Sequence, residues 1–279
     1  MKSLVVLVAF LGLSSSLKLD KLSKGTYANY AAENGIVLAK AQADYQYLDC
    51  YDRFNQQGTT YRVNDYYPDL NRLGMDNRFS SCCFYGIWNL FDDYEYSERN
   101  PQVSNTKHIV SSINDVIIFT FFQRAVYSGW GEGICFDLQG NPSFDNLASS
   151  VRFVGAPDGY KYDTLNLYEY DFYRGYEQYT YGDASSLNYD NLGRSIIVTG
   201  CQPWTVYQNT NFNGNCACVY PSDTQNCYPG FYESLGNTAN QISSVRKGCY
   251  CNKKMAPQAS MTTSRSSTQV GGYSYQPAN

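Results

Sequence analysis

FDNLASSVRFVG, residues 144–155, decides how this chain is read: a polar loop, Asp145-Asn146-Leu147-Ala148-Ser149-Ser150, runs straight into the alternating strand Ser150-Val151-Arg152-Phe153-Val154. Worn copies of the loop recur. DNRFSS stands at 76–81, DNLGRS at 190–195 and ANQISS at 239–244, while SSINDV at 111–116 lies halfway across the gap between the two full copies. Starts at 76, 111, 145, 190 and 239 are spaced by 35, 34, 45 and 49 residues, each close to the length of one four-stranded Greek key.

A second phrase travels with the first, an aromatic segment closing on glycine. It reads Tyr168 through Phe172 to Gly175 and Tyr207 through Phe212 to Gly214, and more loosely Tyr51-Asp-Arg-Phe54 to Gly58 and Phe122 through Tyr127 to Gly129. A tightly folded hairpin demands positive φ, which glycine adopts cheaply, and the aromatic packs over the bend. With 28 tyrosines in 279 residues, alternating runs such as Thr59-Thr-Tyr-Arg-Val63 and helical periodicity confined to residues 27–45, the expected class is all-β.

The chain begins MKSLVVLVAFLGLSSS, a lysine, an apolar run of signal-peptide length and small residues, so residues 1–16 are expected to be a secretory signal. No other segment is apolar for the roughly 20 residues a membrane span needs. Loss of Lys2 moves the net charge from −4 to −5, and no basic cluster offers a phosphate-binding surface, which argues against nucleic acid. All ten cysteines lie beyond the signal, and in an oxidising compartment disulfides are expected, with connectivity left open. Six of them fall between Cys201 and Cys251. His108 is the only histidine and has no nucleophile motif around it, and Asp92, Asp93, Glu95 and Glu98 read as an exposed strand edge, so no enzyme is expected. Asn141-Pro-Ser is not a glycosylation sequon, and the Ser/Thr-rich residues 254–279 read as a disordered tail.

The aromatic–glycine hairpins, the later serine and the unit length together resemble the βγ-crystallin Greek-key motif, most closely over residues 205–248. The resemblance implies paired, intercalated keys forming β-sandwiches. On the spacing above, five units are expected: residues 45–119 as a first domain, 120–200 as a second, and a cysteine-rich fifth unit at 201–253 without a mate, after an N-terminal extension at 17–44. Disulfides could let that fifth unit stand alone, a homodimer could pair it with its copy, or residues 17–44 could complete it.

The resemblance also implies calcium, held where loops of paired keys meet, with the pattern Asn/Asp, Asn/Asp, any two residues, Ser/Thr, Ser. Hard oxygen donors are what calcium takes. The matching residues are Asp76, Asn77 and Ser80, then Asp145, Asn146 and Ser149, and Asp190 with Asn191, while Arg194 and Ala239 depart from the pattern. With 120–200 taken as one domain, Asn191 is expected to share a calcium with Ser149, and SSINDV to give Asp76–Ser81 at most one weak site. The implied role is a secreted, non-enzymatic, calcium-binding structural protein of extracellular matrix, mucus, cement or protective secretion. The alternative is a metalloprotease inhibitor of the same fold, which Gly131–Leu138 followed by Asp145–Arg152 resembles, with an exposed, disulfide-braced loop near Cys201–Trp204 as the inhibitory element.

Overall fold

Short alternating segments become strands throughout the computed structural model, which describes residues 46–96, 108–113, 116–120, 125–139, 144–157, 159–257 and 271–277. The expected signal peptide and N-terminal extension lie outside the described residues. In chain order the strands are β1 (Tyr47–Arg53), β2 (Gln57–Val63), β3 (Ser81–Phe91), β4 (His108–Ile113), β5 (Val116–Thr120), β6 (Ala125–Asp137), β7 (Ser150–Phe153) and β8 (Leu165–Tyr168). They continue with β9 (Glu177–Thr180), β10 (Ser195–Val198), β11 (Trp204–Asn209), β12 (Asn213–Val219), β13 (Gly230–Tyr232), β14 (Ser244–Lys247) and β15 (Gly271–Pro277). Every named strand pair is antiparallel.

Four hairpins share one device. Each holds two consecutive non-glycine residues in the left-handed region: Asn55 and Gln56, Glu95 and Tyr96, Phe172 and Tyr173, Asn211 and Phe212. That conformation is costly for residues with a Cβ and needs an outside partner. The partner is the last serine of a D-N-x-x-S-S loop. Ser81, Ser150, Ser195 and Ser244 each accept on Oγ the N–H of the second residue, at 3.1, 3.2, 2.9 and 3.0 Å. Their hydroxyls donate to the carbonyls of Arg53, Asp93, Tyr170 and Asn209, at 2.7, 2.5, 2.6 and 2.6 Å.

Four latches define four Greek keys among the described residues, where the spacing predicts five. The stretch SSINDV does not start a key: among the described residues β4 and β5 pair only with each other, inserted in sequence between the second hairpin and β6. The acidic run near Asp92 is not a plain strand edge either, since Asp93 and Glu95 form the second hairpin itself. Of the Phe122–Gly129 stretch, the described residues, Ala125–Gly129, lie within one long strand, Ala125–Asp137; Phe122 lies outside the described residues.

Strand exchange then joins the keys in pairs different from those expected. β3 and β6 are long enough to serve both sheets of a sandwich. Residues 81–85 of β3 lie between β1 and the second half of β6, with Ser81 opposite Asp137. Beyond Gly86, which sits in the strand at φ 102°, residues 87–91 pair with the first half of β6 and with β7, Trp88 facing Phe153. The first key returns a segment to this second sheet through the Tyr67–Val151 bridge. The enclosed core includes Leu48, Phe79, Phe84, Trp88, Phe144 and Val151, all 0–1% exposed. Residues on both sides of 119/120 thus build one sandwich, which corrects the expected division at that point.

The same exchange recurs downstream. β13 of the fourth key pairs with β10 of the third, and Ala184 of the third bridges Val245 in β14 of the fourth. Leu165, Leu167, Ile196, Trp204, Val206 and Val245 fill this second core. The cysteine-rich unit at 201–253 therefore has a mate in residues 165–198, and the open face that argued for a homodimer is covered. All ten cysteines are paired: Cys50–Cys82, Cys83–Cys135, Cys201–Cys227, Cys216–Cys251 and Cys218–Cys249.

Between the sandwiches, Ile87, Trp130 and Val154 pack against Tyr168, Tyr173, Ile197 and Phe231. Arg152, fully buried, crosses this seam, donating to the carbonyls of Gly175 (2.9 Å) and Tyr173, with its guanidinium 4.8 Å from the ring centres of Tyr96 and Tyr168. Tyr66 donates to buried Glu177 at 2.8 Å. Burial above all, then the Glu177 charge, holds the Tyr66 and Tyr168 hydroxyls well above the usual tyrosine pKa, so both remain donors.

The tail reading is corrected in part: residues 271–277 form β15 along the first half of β6, from Gly271 opposite Gly131 to Pro277 opposite Ala125. Without β15 that half of β6 would be a sheet edge, and unpaired edges attract strands.

Candidate calcium loops

Loops 76–81 and 145–150 each end in a latching serine, and strand exchange sets them face to face. Asn77 N–H donates to Ala148 O and Asn146 N–H to Phe79 O, both at 2.9 Å. The neighbouring bonds repeat the exchange: Ser80 N–H reaches Tyr51 O while Ser149 N–H reaches Phe91 O, and Leu138 N–H reaches Ser80 O while Leu70 N–H reaches Ser149 O. Two equivalent loops thus meet about a local two-fold. Asn77 and Asn146 both sit in the left-handed region, at φ 53° and 54°, a conformation asparagine tolerates better than most residues.

The donor atoms are oxygens. Ser80 Oγ lies 3.5 Å from Asn146 Oδ1 and 3.3 Å from Asp52 O, which places a hydroxyl of one loop beside an amide oxygen of the other. Asp76 Oδ2 accepts from Asn77 Nδ2 at 3.0 Å and from the Tyr94 hydroxyl at 3.3 Å. Its Oδ1 is buried, and among the described residues no donor reaches it. A buried carboxylate oxygen without a donor is costly unless a cation supplies the missing contact. Among the described residues no group of three or more His, Cys, Asp or Glu forms; the side-chain donors that meet here are amide, hydroxyl and carboxylate oxygens, the kind calcium takes. Where calcium binds, Asn146 with Ser80, and by the local two-fold Asn77 with Ser149, would hold it, with Asp76 and Asp145 supplying charge.

Asn191 and Ser149 are not brought together. Loop 190–195 meets 239–244 instead, through the Leu192–Ile242 bridge and the Asn240 N–H donated to Gly193 O at 3.1 Å. Asp190 there is exposed and bonds only locally, Oδ1 accepting from Asn191 N–H and Oδ2 from Asn191 Nδ2. Arg194 stands where a hydroxyl is needed and is tied to Asp171 at 3.0 Å. The opposite loop opens with Ala239, which offers no side-chain oxygen. The backbone scaffold is kept in the second sandwich with part of its ligand set: Asn191 and Ser243 remain on facing loops, while Arg194 and Ala239 interrupt the other half.

The two stretches named for an inhibitor are anchored. Gly131–Asp137 runs inside β6 against β3, and at Cys201–Trp204 the N–H groups of Cys201 and Gln202 both donate to Asp163 Oδ1 while Trp204 is buried. Tyr94, which contacts Asp76, is a site residue the sequence reading missed; Phe91 and Tyr96, an aromatic pair with four residues between them, were the available signal, without a closing glycine.

No family model and no curated protein matches the sequence. Among solved structures, the chain is similar to Geodin, a βγ-crystallin from Geodia cydonium, at 13% identity and TM-score 0.48, covering 72% of this chain and 98% of that one. It is also similar to an archaeal βγ-crystallin, at 24% identity and TM-score 0.26 over 30% of this chain and 96% of the other. Protein S complexed with calcium matches at 17% identity and TM-score 0.23, over 72% and 98%. What defines the fold here is the chain's own strand exchange and its four serine latches.

Proposed function

We propose that this chain is a secreted, non-enzymatic structural protein that binds calcium at the paired loops 76–81 and 145–150 of its first sandwich. One observation carries this reading: strand exchange brings the two complete D-N-x-x-S-S loops into register, with Ser80 Oγ beside Asn146 Oδ1 and the buried Asp76 Oδ1 lacking a donor. Calcium would satisfy that oxygen and cross-link two keys whose sequences are otherwise far apart. Each loop brings one carboxylate and is open to solvent, so affinity on the order of 10⁻⁴ M is expected, the range of extracellular modules. Five disulfides support an oxidising destination, and among the described residues no helix is long and apolar enough to cross a membrane. Matrix, mucus, cement or a protective secretion would supply millimolar calcium.

Calorimetric titration of the calcium-free protein with calcium chloride tests the reading. Saturable binding that falls sharply in Ser80→Ala/Ser149→Ala but persists in Ser243→Ala supports it. An absence of binding at millimolar calcium overturns it.

A further inference from the structure

The fourth key carries a groove that the calcium reading does not use. Its volume is about 620 Å³, within the size range of small-ligand sites. Five carboxamides line it: Gln208, Asn215, Asn237, Gln241 and Asn252. Thr238 adds a hydroxyl, and the sole charge is Lys253, whose ammonium lies 3.3 Å from Thr238 Oγ1. Neither carboxylate nor imidazole lines the groove, so it has no obvious proton shuttle and no counter-charge for a cation. Buried Val206 and Ile242 give it an apolar floor.

We propose that this groove binds a neutral saccharide. A carboxamide presents a donor and an acceptor side by side, which suits adjacent sugar hydroxyls that both donate and accept. Tyr250, 57% exposed, supplies an aromatic surface for the apolar C–H face of a sugar ring, and the Arg246 guanidinium 4.1 Å from its ring centre helps fix its position. The walls are set in advance. Cys216–Cys251 and Cys218–Cys249 fasten the 249–252 wall to β12, and Asn215 Nδ2 donates to Gln208 Oε1 at 2.9 Å. A groove already ordered loses less entropy on binding. None of its lining residues belongs to loops 76–81 and 145–150, where calcium is proposed, so binding is expected without calcium.

The test is an array of neutral, sialylated and sulfated glycans probed with the labelled full chain in EDTA, followed by calorimetry with the free oligosaccharides bound. Neutral glycans are expected to bind, with affinity falling about tenfold in Asn237→Ala, in Gln241→Ala and in Tyr250→Ala, the loss of one good contact each. All three side chains are exposed, and thermal melting of each variant verifies its fold. Ser80→Ala should bind glycans like the parent, which keeps this outcome separate from the calcium reading. Silence of the neutral glycans, binding confined to acidic glycans and lost in Lys253→Ala, or neutral binding indifferent to all three substitutions would overturn the proposal.

Discussion

Ser150 accepts the backbone N–H of Tyr96 on its hydroxyl at 3.2 Å, closing a gap of 54 residues. The same latch repeats at Ser81, Ser195 and Ser244, so one hydroxyl in each key holds a hairpin that is strained by its own side chains. Replacing Ser150 or Ser195 with alanine leaves a buried N–H without its acceptor. Each substitution should cost about 1–3 kcal/mol, read as a lower denaturation midpoint with an unchanged slope.

Arg152 has no such repeat, because it serves the seam between sandwiches. Arg152→Ala removes donors from the carbonyls of Tyr173 and Gly175 and leaves a hole in the seam where the guanidinium lies against Tyr96 and Tyr168. A loss of about 3 kcal/mol is expected. In calorimetric melting the variant should show two transitions where the parent shows one.

Arg194 and Ala239 are the positions at which the second sandwich lacks calcium ligands. Arg194→Ser with Ala239→Asp restores a hydroxyl and a carboxylate to loops that already meet. The calcium stoichiometry by calorimetry should rise above that of the parent. Losing the exposed Arg194–Asp171 pair should cost at most about 1 kcal/mol.

Glu132 gives the pH dependence a definite sign. Burial raises its pKa, but hydrogen bonds from Lys161 and Tyr160 outweigh burial and hold it below 4.5. A carboxylate depressed in the folded state stabilises the fold above its unfolded pKa, and that contribution fades as pH falls through the folded value. Glu132→Gln should therefore lower stability slightly at pH 7 and converge with the parent once pH has fallen through the depressed folded value, as melts across pH would show. The effect is small because the pair is roughly half exposed.

Deleting residues 258–279 removes β15 and exposes the first half of β6 as an edge. Sedimentation should show concentration-dependent association of the truncated chain, with calcium binding unchanged.

Much of the fold was legible. The D-N-x-x-S-S loops marked the corner preceding the last strand of each key, because the final serine is fixed by its latch and the asparagine by its left-handed backbone. The pairing of loops was not legible. It is set by β3 and β6 passing from one sheet to the other, and the β4–β5 insertion places residue 150 far along the chain from its hairpin at Tyr96. SSINDV, at nearly the expected interval, imitated a key, and the true second hairpin carries Glu98 at the position where the other three have Gly58, Gly175 and Gly214. Shifting that one assignment moved Ser149 from Asn191 to the loop of Asn77, and with it the proposed calcium ligands.

Hydrogen–deuterium exchange of the full chain with and without calcium tests this account most directly, because it reads which loops respond together. Calcium should slow exchange in peptides covering both 76–81 and 145–150, leaving 190–195 and 239–244 unchanged. Protection shared by 145–150 and 190–195, or none in any loop at millimolar calcium, would contradict it.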